Sequence, residues 1–440
     1  MTTEFDQYQA NLQQIQTTML YGQANRIPLL KRILLALDQP DLKYPIIHVC
    51  GTNGKGSTSL MMSQLLQATG LKVGVFASPA LNDPREMIQV NRQFIDYRFF
   101  NQAFDQLAAG MGRLGMNWAE ISEFEAWFLI AVLYFAQAKV DMAILECGLG
   151  GELDATNAIA TAAYDVFVHI DYDHMALLGD SIEAIATTKA KIIRAHAQVI
   201  NYPDQFPVVN AIIETIARER AAHYHSAKLQ NVLLTKGNLD GSDVLAKFNG
   251  ADLKLHLSLA GAFQVANLRT VLTFVASYNR QPIQGPITAE ILQNTLKDLR
   301  FAGRMQLISQ DPLLYGDGGH NPDAFASIVK ALKPYEKDYQ IIMVLGFLKD
   351  KDVLDNLDLL QDLKADYIAT TPDNPQRALD ADTLRELMQK TLPAANTITA
   401  VADPANALVY AKVLAQHLVK PLIFVAGSFY LVKTVVNPGE

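Results

Sequence analysis

Cysteine is scarce: Cys50 and Cys147 are the only two in 440 residues, too few for a disulfide framework, so a reducing compartment is expected. A basic excess is missing as well. Lys and Arg number 37 against 45 Asp and Glu, a net charge of -8, which argues against the basic face of a nucleic-acid binder. An anionic small molecule would instead need a local cluster of cations and backbone N–H groups. No apolar run reaches the roughly 20 residues of a membrane-spanning helix. The most apolar helical stretch, AWFLIAVLYFA (126–136), stops at Gln137 and reads as a buried core helix. The polar opening MTTEFDQYQANLQQ lacks the basic-then-apolar order of a signal peptide. The expectation is a soluble, cytoplasmic monomer with neither a nucleic-acid nor a membrane partner.

What is present is an ordinary globular balance, 50% apolar and 19% charged, over a length that calls for two or three cores. Strand-length apolar runs, YPIIHVC (44–50), KVGVFAS (72–78), DMAILEC (141–147) and DVFVHI (165–170), alternate with helical patterns. Buried strands separated by helices imply a mostly parallel sheet covered on both faces. Residues 231–258 break the rhythm with short alternating runs parted by GNLDGS and NGAD, the pattern of a small antiparallel insertion. Helical segments at 261–279 and 288–299 flank the Pro- and Gly-rich RQPIQGPIT, and RFAGR follows. The junction is placed there, giving a larger α/β domain over 1–299 and a smaller one over 300–440. In the second, LLYGDGG, YQIIMVLG, ADYIATT and PLIFVAG are the strand candidates.

Four stretches carry groups suited to chemistry. HVCGTNGKGST (48–58) runs from a buried strand into glycines, a lysine and hydroxyls, then into a helix. A standard phosphate loop reads G-x-x-x-x-G-K-[ST]; here Val49 stands where its first glycine belongs, and Gly56 delays Ser57 and Thr58 by one place. The setting still aims backbone N–H groups and a helix N-terminus at one spot, which suits phosphate. Lys55 can neutralise phosphate oxygens, and Ser57 or Thr58 can ligate Mg²⁺. ECGLGGELDATN sets Glu146 at a strand end, followed by a glycine turn and Asp154. HIDYDHMALLGD sets Asp171, Asp173 and His174 just after another strand. Ligands of parallel sheets collect beyond the carboxyl ends of strands, so these groups can converge near Lys55. Mg²⁺ bound with phosphates and water needs few protein ligands, and Glu146 with His174 suffices. In YGDGGHNPDAF, Asn321 before Pro322 makes a helix cap, which leaves Asp317 and His320 as the functional candidates.

With these motifs, the sequence resembles folylpolyglutamate synthases, which in bacteria often double as dihydrofolate synthases and belong to the Mur-type amide ligases. The blocks that carry the resemblance run nearly end to end: NRIPLLKRILLAL, IHVCGTNGKGST, FASP, ECGLGGELDATN, DHMALLGDSIEAIATTKAKII, FQVAN, FAGRMQ, DGGHNPDA, GFLKDKD and AGSFYLV. The resemblance implies an N-terminal P-loop ATPase domain and a smaller Rossmann-like C-terminal domain. It also implies ATP-dependent addition of L-glutamate to the terminal carboxylate of a reduced folate through an acyl phosphate. By that resemblance Gly51, Thr52, Asn53, Gly54, Lys55, Gly56, Ser57 and Thr58 cradle the phosphates. Ser57, Ser78, Glu146 and His174 hold Mg²⁺, expected as two ions, and Lys189 falls at the position of a carbamylated lysine. Gln264, Asn267 and Arg304 correspond to nucleotide contacts, and Asp317 and His320 to groups that approach ATP and the incoming glutamate. Ser428 lies on the glutamate side, and Asp154 near the reacting groups.

The chain departs from the family pattern in several places. SPAL puts Ala80 where a histidine is usual, Met87 replaces an arginine next to Arg85, and Glu152 reverses the charge of an arginine. Thr188-Lys189-Ala190-Lys191 stands for Glu-Lys-Ala-Gly, and Phe263 for the histidine before Gln264. The ATP-handling residues are intact while the acceptor side differs. A Mur-like ligase with another acceptor carboxylate, or a nucleotide-binding paralogue without turnover, therefore stays open at this stage.

Overall fold

The computed structural model describes residues 3–15 and 25–436. The chain divides into two compact units, Met1–Val232 with Ala266–Thr295, and Leu233–Val265 with Leu296–Glu440.

The first unit is built on strands β1 (Ile46–Cys50), β2 (Val73–Phe76), β3 (Ile88–Val90), β4 (Gln93–Phe94), β5 (Met142–Glu146), β6 (Tyr164–Phe167), β7 (Gln198–Asn201) and β8 (His223–Ser226). They lie in the order β4-β3-β2-β5-β1-β6-β7-β8, parallel from β2 to β8, with β3 and β4 added antiparallel at one edge. Every residue of β1 and β5 is buried, which is why both are apolar apart from His48 and the terminal Glu146. The chain leaves β1 toward β2 on one side and later places β6 on the other. That reversal opens a crevice beyond the carboxyl end of β1, between β5 and β6.

Helix Glu123–Ala138 contains the 126–136 run, and its residues from Glu125 to Phe135 are buried. Apolar on all sides, it has no wet face and must sit inside the core. Ser122 caps it, and Glu125 closes the capping box while pairing with Arg26 at 2.5 Å. Trp127 and Phe128 pack with Phe76, Phe100, Leu107 and Leu145 in one core, while Ile185 and Ile213 pack on Phe167 and Val199 in another. Among the described residues no helix is long and apolar enough to cross a membrane.

The second unit holds the antiparallel trio β9 (Val232–Asn238), β10 (Gly241–Phe248) and β11 (Ala251–Leu257), with Val232 itself counted in the first unit. Its main sheet comprises β12 (Gln306–Gln310), β13 (Leu313–Asp317), β14 (Gln340–Leu345), β15 (Ala365–Ala369), β16 (Thr397–Ala400) and β17 (Pro421–Ala426). The order is β12-β13-β17-β14-β15-β16, parallel except for β12. The trio matches the small antiparallel insertion read from 231–258. Strands β3, β4, β7, β8, β12 and β16 were not anticipated, being short or half-polar, as HYHS in β8 is.

Buried polar groups in the first sheet have consequences for stability. Asp165 in β6 is fully buried, and the Arg194 backbone N–H donates to its Oδ2 at 2.8 Å. Burial outweighs that bond and the Arg194 charge, and pushes the carboxyl up to about 7. A raised folded-state value means the native chain holds a proton that the unfolded one has lost. Stability therefore falls as pH rises from about 4 to 7, on the order of 4 kcal/mol across the interval. Asp165→Asn is expected to raise Tm at pH 8 and to lose that advantage near pH 4. Melting curves of the two proteins across this range check it, and a constant Tm difference would contradict the burial argument.

Candidate functional site

The loop between β1 and helix Lys55–Ala68 is held by unusually close backbone contacts. A Cβ on Gly51 would lie 2.3 Å from Val168 Cγ2, so only glycine lets the loop reach the segment after β6. There the His169 carbonyl accepts from the amides of Thr52 at 2.7 Å and Asn53 at 3.3 Å. The Thr52 hydroxyl donates to the Asp171 carbonyl at 2.9 Å and lies 3.1 Å from the Asp171 amide. Thr52 thus spends its polar groups on shaping the loop. Gly54 has φ +96°, and a Cβ there would meet Asn267 Oδ1 at 2.5 Å, so Asn267 packs directly against the turn. Gln264 lies three residues before it on the same helix, Phe263–Tyr278.

Two lysines converge on the loop. Lys55 Nζ donates to the carbonyls of Gly51 and Thr52, each at 3.1 Å. Lys189 is buried on helix Ile182–Ala190 and its Nζ donates to Gly51 O at 3.0 Å. Burial pushes the Lys189 ammonium down, and nearby Lys55 adds to that effect while Cys50 opposes it. Gly56, Ser57 and Thr58 form the first turn of helix Lys55–Ala68. The Thr58 hydroxyl is buried without a hydrogen-bond partner among the described residues.

Around this loop stand the acidic candidates. Glu146 ends β5 opposite Val49 of β1 and is buried. Ser78 follows β2, whose Phe76 pairs with Leu145, and so leaves the sheet on the same side. His174 starts the short helix Met175–Leu178, with Nε2 3.7 Å from Asp173. Asp154 is buried and fully used: Oδ2 accepts from Leu149 N at 2.8 Å, and Oδ1 from Thr156 N at 2.9 Å and Thr156 Oγ1 at 2.5 Å. Its carboxylate holds the glycine turn of 148–151 together. Burial pushes its pKa up against the pull of those donors.

In the second unit, Asp317 ends β13 and accepts from Gly319 N at 2.7 Å and Met305 N at 2.8 Å. Burial pushes its carboxyl up while the Arg304 charge pulls it back. The Arg304 guanidinium lies 4.4 Å from the centre of the Phe429 ring. His320 Nδ1 lies 2.9 Å from Gly318 O, and Asn321 caps helix Pro322–Leu332 by accepting from Ala324 N at 2.9 Å. Ser428, just past β17, accepts from Leu431 N at 3.1 Å. Asp317 and Ala426 are register partners, so both strand ends open on one side of this sheet.

The departures from the family pattern have local partners. Glu152 pairs with Lys191 at 2.7 Å, so the reversed charge and the lysine in place of glycine answer each other. Met87 is buried in the core, while Arg85 pairs with Asp83 at 2.6 Å and stacks 3.9 Å over Tyr97. Ala80 packs partly buried against the same core, and Phe263 against that of the second unit. His48, Thr156, His169 and Gln205 also shape the site, though no sequence motif marks their roles. Gln205 donates to Val168 O at 2.8 Å and accepts from Ile170 N at 3.0 Å, fixing the segment against the loop. A polar residue inside an apolar strand, such as His48 in IIHVC, was the available signal.

A glycine loop with two lysines at the switch point of a parallel sheet defines a phosphate-handling α/β protein. Comparison with known proteins gives the class: residues 49–275 match the Mur ligase middle domain and residues 303–429 the Mur ligase glutamate ligase domain. The folylpolyglutamate synthase of Lacticaseibacillus casei is 30% identical over 358 residues, 79% of this chain and 82% of that protein. Escherichia coli FolC, solved in complex with DHPP and ADP, is similar at TM-score 0.80 and 27% identity over 97% of this chain and 95% of that one. The Yersinia pestis bifunctional folylpolyglutamate synthase/dihydrofolate synthase, complexed with AMPPNP and Mn ion, gives 0.81 and 26%, covering 97% of each chain. The chain belongs to the Mur ligase family, and within it to the folylpolyglutamate synthase group.

Gly54→Ala is expected to cost about 1–3 kcal/mol, because it adds positive-φ strain to a clash. A lowered Tm, partly restored by adding Asn267→Ala, checks this; an unchanged Tm would show that the turn relaxes freely.

Proposed function

We propose that this chain is an ATP-dependent ligase that joins L-glutamate to the terminal carboxylate of a reduced folate. The observation that carries the reading is the β1 loop, with Lys55 and Lys189 both reaching Gly51 O beneath an N-terminal helix turn. A carboxylate is a poor electrophile, since its oxygen leaves badly. Its oxygen attacks the γ-phosphorus of ATP, ADP departs, and an acyl phosphate forms. The glutamate amine then adds to that carbonyl carbon, and the C–O bond to phosphate breaks as inorganic phosphate leaves.

The work of the protein is positioning and charge stabilisation. Lys55 releases the loop carbonyls to meet phosphate oxygens, and the amides of Gly54 to Ser57 cradle them, the Thr58 amide being spent on the Gly54 carbonyl at 2.9 Å. The buried, unpartnered Thr58 hydroxyl fits an acceptor oxygen there. Asn267 and Gln264, with Arg304 and Asp317, are the proposed nucleotide contacts; His320 and Ser428 serve glutamate. The donors Ser57, Ser78 and Glu146 are hard oxygens of the kind Mg²⁺ prefers, His174 is the proposed nitrogen ligand, and two ions are proposed. When bound, Mg²⁺ neutralises charge on the phosphates. Asp154, with all its contacts spent on the turn, acts by shaping that turn.

Burial favours the neutral Lys189 amine, which can attack CO₂. An N–C bond forms, a proton leaves, and the resulting carbamate supplies an anionic oxygen where an ammonium would be repelled by a cation. A cytoplasmic location and a monomeric state belong to the same proposal.

With purified protein, ATP, Mg²⁺, tetrahydrofolate and glutamate, ADP release should depend on both acceptor and amino acid, and the product should gain one glutamyl group. No ADP above background with any folate would overturn the reading. Dihydropteroate offered alongside, with products weighed by mass spectrometry, tells whether the second acceptor is used. Lys55→Ala should lower turnover by about 10²-fold or more. Lys189→Ala should weaken it, with partial return on adding short carboxylates such as formate.

A further inference from the structure

A buried polar chain runs from the middle of the first sheet to the glycine turn. His48 is fully buried in β1, and its Nε2 lies 2.8 Å from Thr156 Oγ1 and 3.2 Å from Cys147 Sγ. The Thr156 hydroxyl has one hydrogen. The Asp154 carboxylate, 2.5 Å away, takes it ahead of Cys147 Sγ at 3.5 Å. Thr156 must then accept from His48, so Nε2 carries the imidazole proton and Nδ1 is left a lone pair.

That Nδ1 is buried without a partner among the described residues. Asp165 is the register partner of His48 on β6, and its Oδ1 is likewise buried and unpartnered. Two acceptors side by side are costly. A proton on Asp165 supplies the missing donor, through one bridging water. The pKa directions agree: burial and Arg194 push His48 down to about 3, and burial pushes Asp165 up to about 7. The groups facing this pair are Arg194, with Arg220 and Asp41 near its guanidinium, Cys147 just past β5, and Asp154 with Thr156. Cys147 stays a thiol, because burial pushes it well up.

At its other end the chain bears on the lysine. Asp154 holds Leu149 N, and Cys50 Sγ donates to Gly150 O at 3.1 Å. Gly151 is pressed so close that a Cβ would lie 2.7 Å from Lys189 Cα, and Glu152 N donates to Thr188 O at 2.9 Å. A shift of the turn is therefore a shift of Lys189.

We propose that His48 is a positioning residue: through Thr156 and Asp154 it fixes the glycine turn against Lys189, and Asp165 behind it sets its tautomer. The kinetic part rests on the ligase reading above; the tautomer does not. In full-length protein labelled with ¹⁵N-histidine, the signal lost in His48→Gln should report a neutral Nε2–H imidazole that does not titrate between pH 5 and 6, below the Asp165 transition. A proton on Nδ1, or titration in that range, overturns the proposal even if no ligase activity is found.

In the turnover assay, His48→Met should lower kcat about tenfold or more with KM for ATP little changed, as loss of a supporting hydrogen bond does. His48→Gln, whose amide still donates to Thr156, should recover most of it. Equal losses in the two variants would reduce His48 to a filler of space. Asp165→Asn carries a permanent donor, so it should keep activity above pH 7, where the wild-type kcat is expected to decline as Asp165 ionises. An identical alkaline limb in both proteins would remove Asp165 from the scheme.

Discussion

Everything in the first unit's site depends on the backbone of residues 51–54 lying in contact with the backbone that follows β6. The missing Cβ of Gly51 brings the His169 carbonyl within reach of two loop amides, and this closes the gap between neighbouring strands at their carboxyl ends. With that distance set, Lys189 can reach Gly51 O from a helix more than a hundred residues away in sequence, and Asn267 can rest on Gly54. A loop fixed by its neighbours loses little entropy when it meets a phosphate, which is what preorganised charge stabilisation requires.

The same device recurs in the second unit with a different acid. Asp154 and Asp317 are both buried, one beyond the end of β5 and one at the end of β13, and both use their oxygens on backbone amides beside a glycine turn. Short turns rich in glycine expose many N–H groups at once, and a carboxylate is the side chain that can absorb two or three of them. Such an acid looks catalytic in a sequence, because it sits beside the motif. Its geometry assigns it first to holding the motif's shape.

Much of the architecture was legible because buried parallel strands have to be largely apolar. YPIIHVC, DMAILEC and PLIFVAG leave no other reading, and AWFLIAVLYFA fits only a core helix. The strands that escaped notice, such as HYHS in β8, sit where one side is wet or the pairing is short, so their composition is not forced. The glycine loop was legible for a similar reason, since close approach admits no substitute. The polar chain through His48, Thr156 and Asp165 was not. Its members are far apart in sequence, and only strand register makes His48 and Asp165 neighbours. The three anomalies, a histidine and an aspartate in apolar strands and a threonine after an acid, gain meaning from one another.

The ion pair between Glu152 and Lys191 gives the divergence of this chain a direction. Two positions that depart from the family pattern face each other across the turn that abuts Lys189. Restoring arginine at 152 alone would set two cations together, and restoring glycine at 191 alone would leave an acid without its mate beside a site meant for phosphates. Both side chains are about 40% exposed, so the pair contributes little to stability and serves to balance the charge beside the turn. Changing either position alone would leave an unbalanced charge next to Lys189, so residues 152 and 191 have to be read, and altered, together.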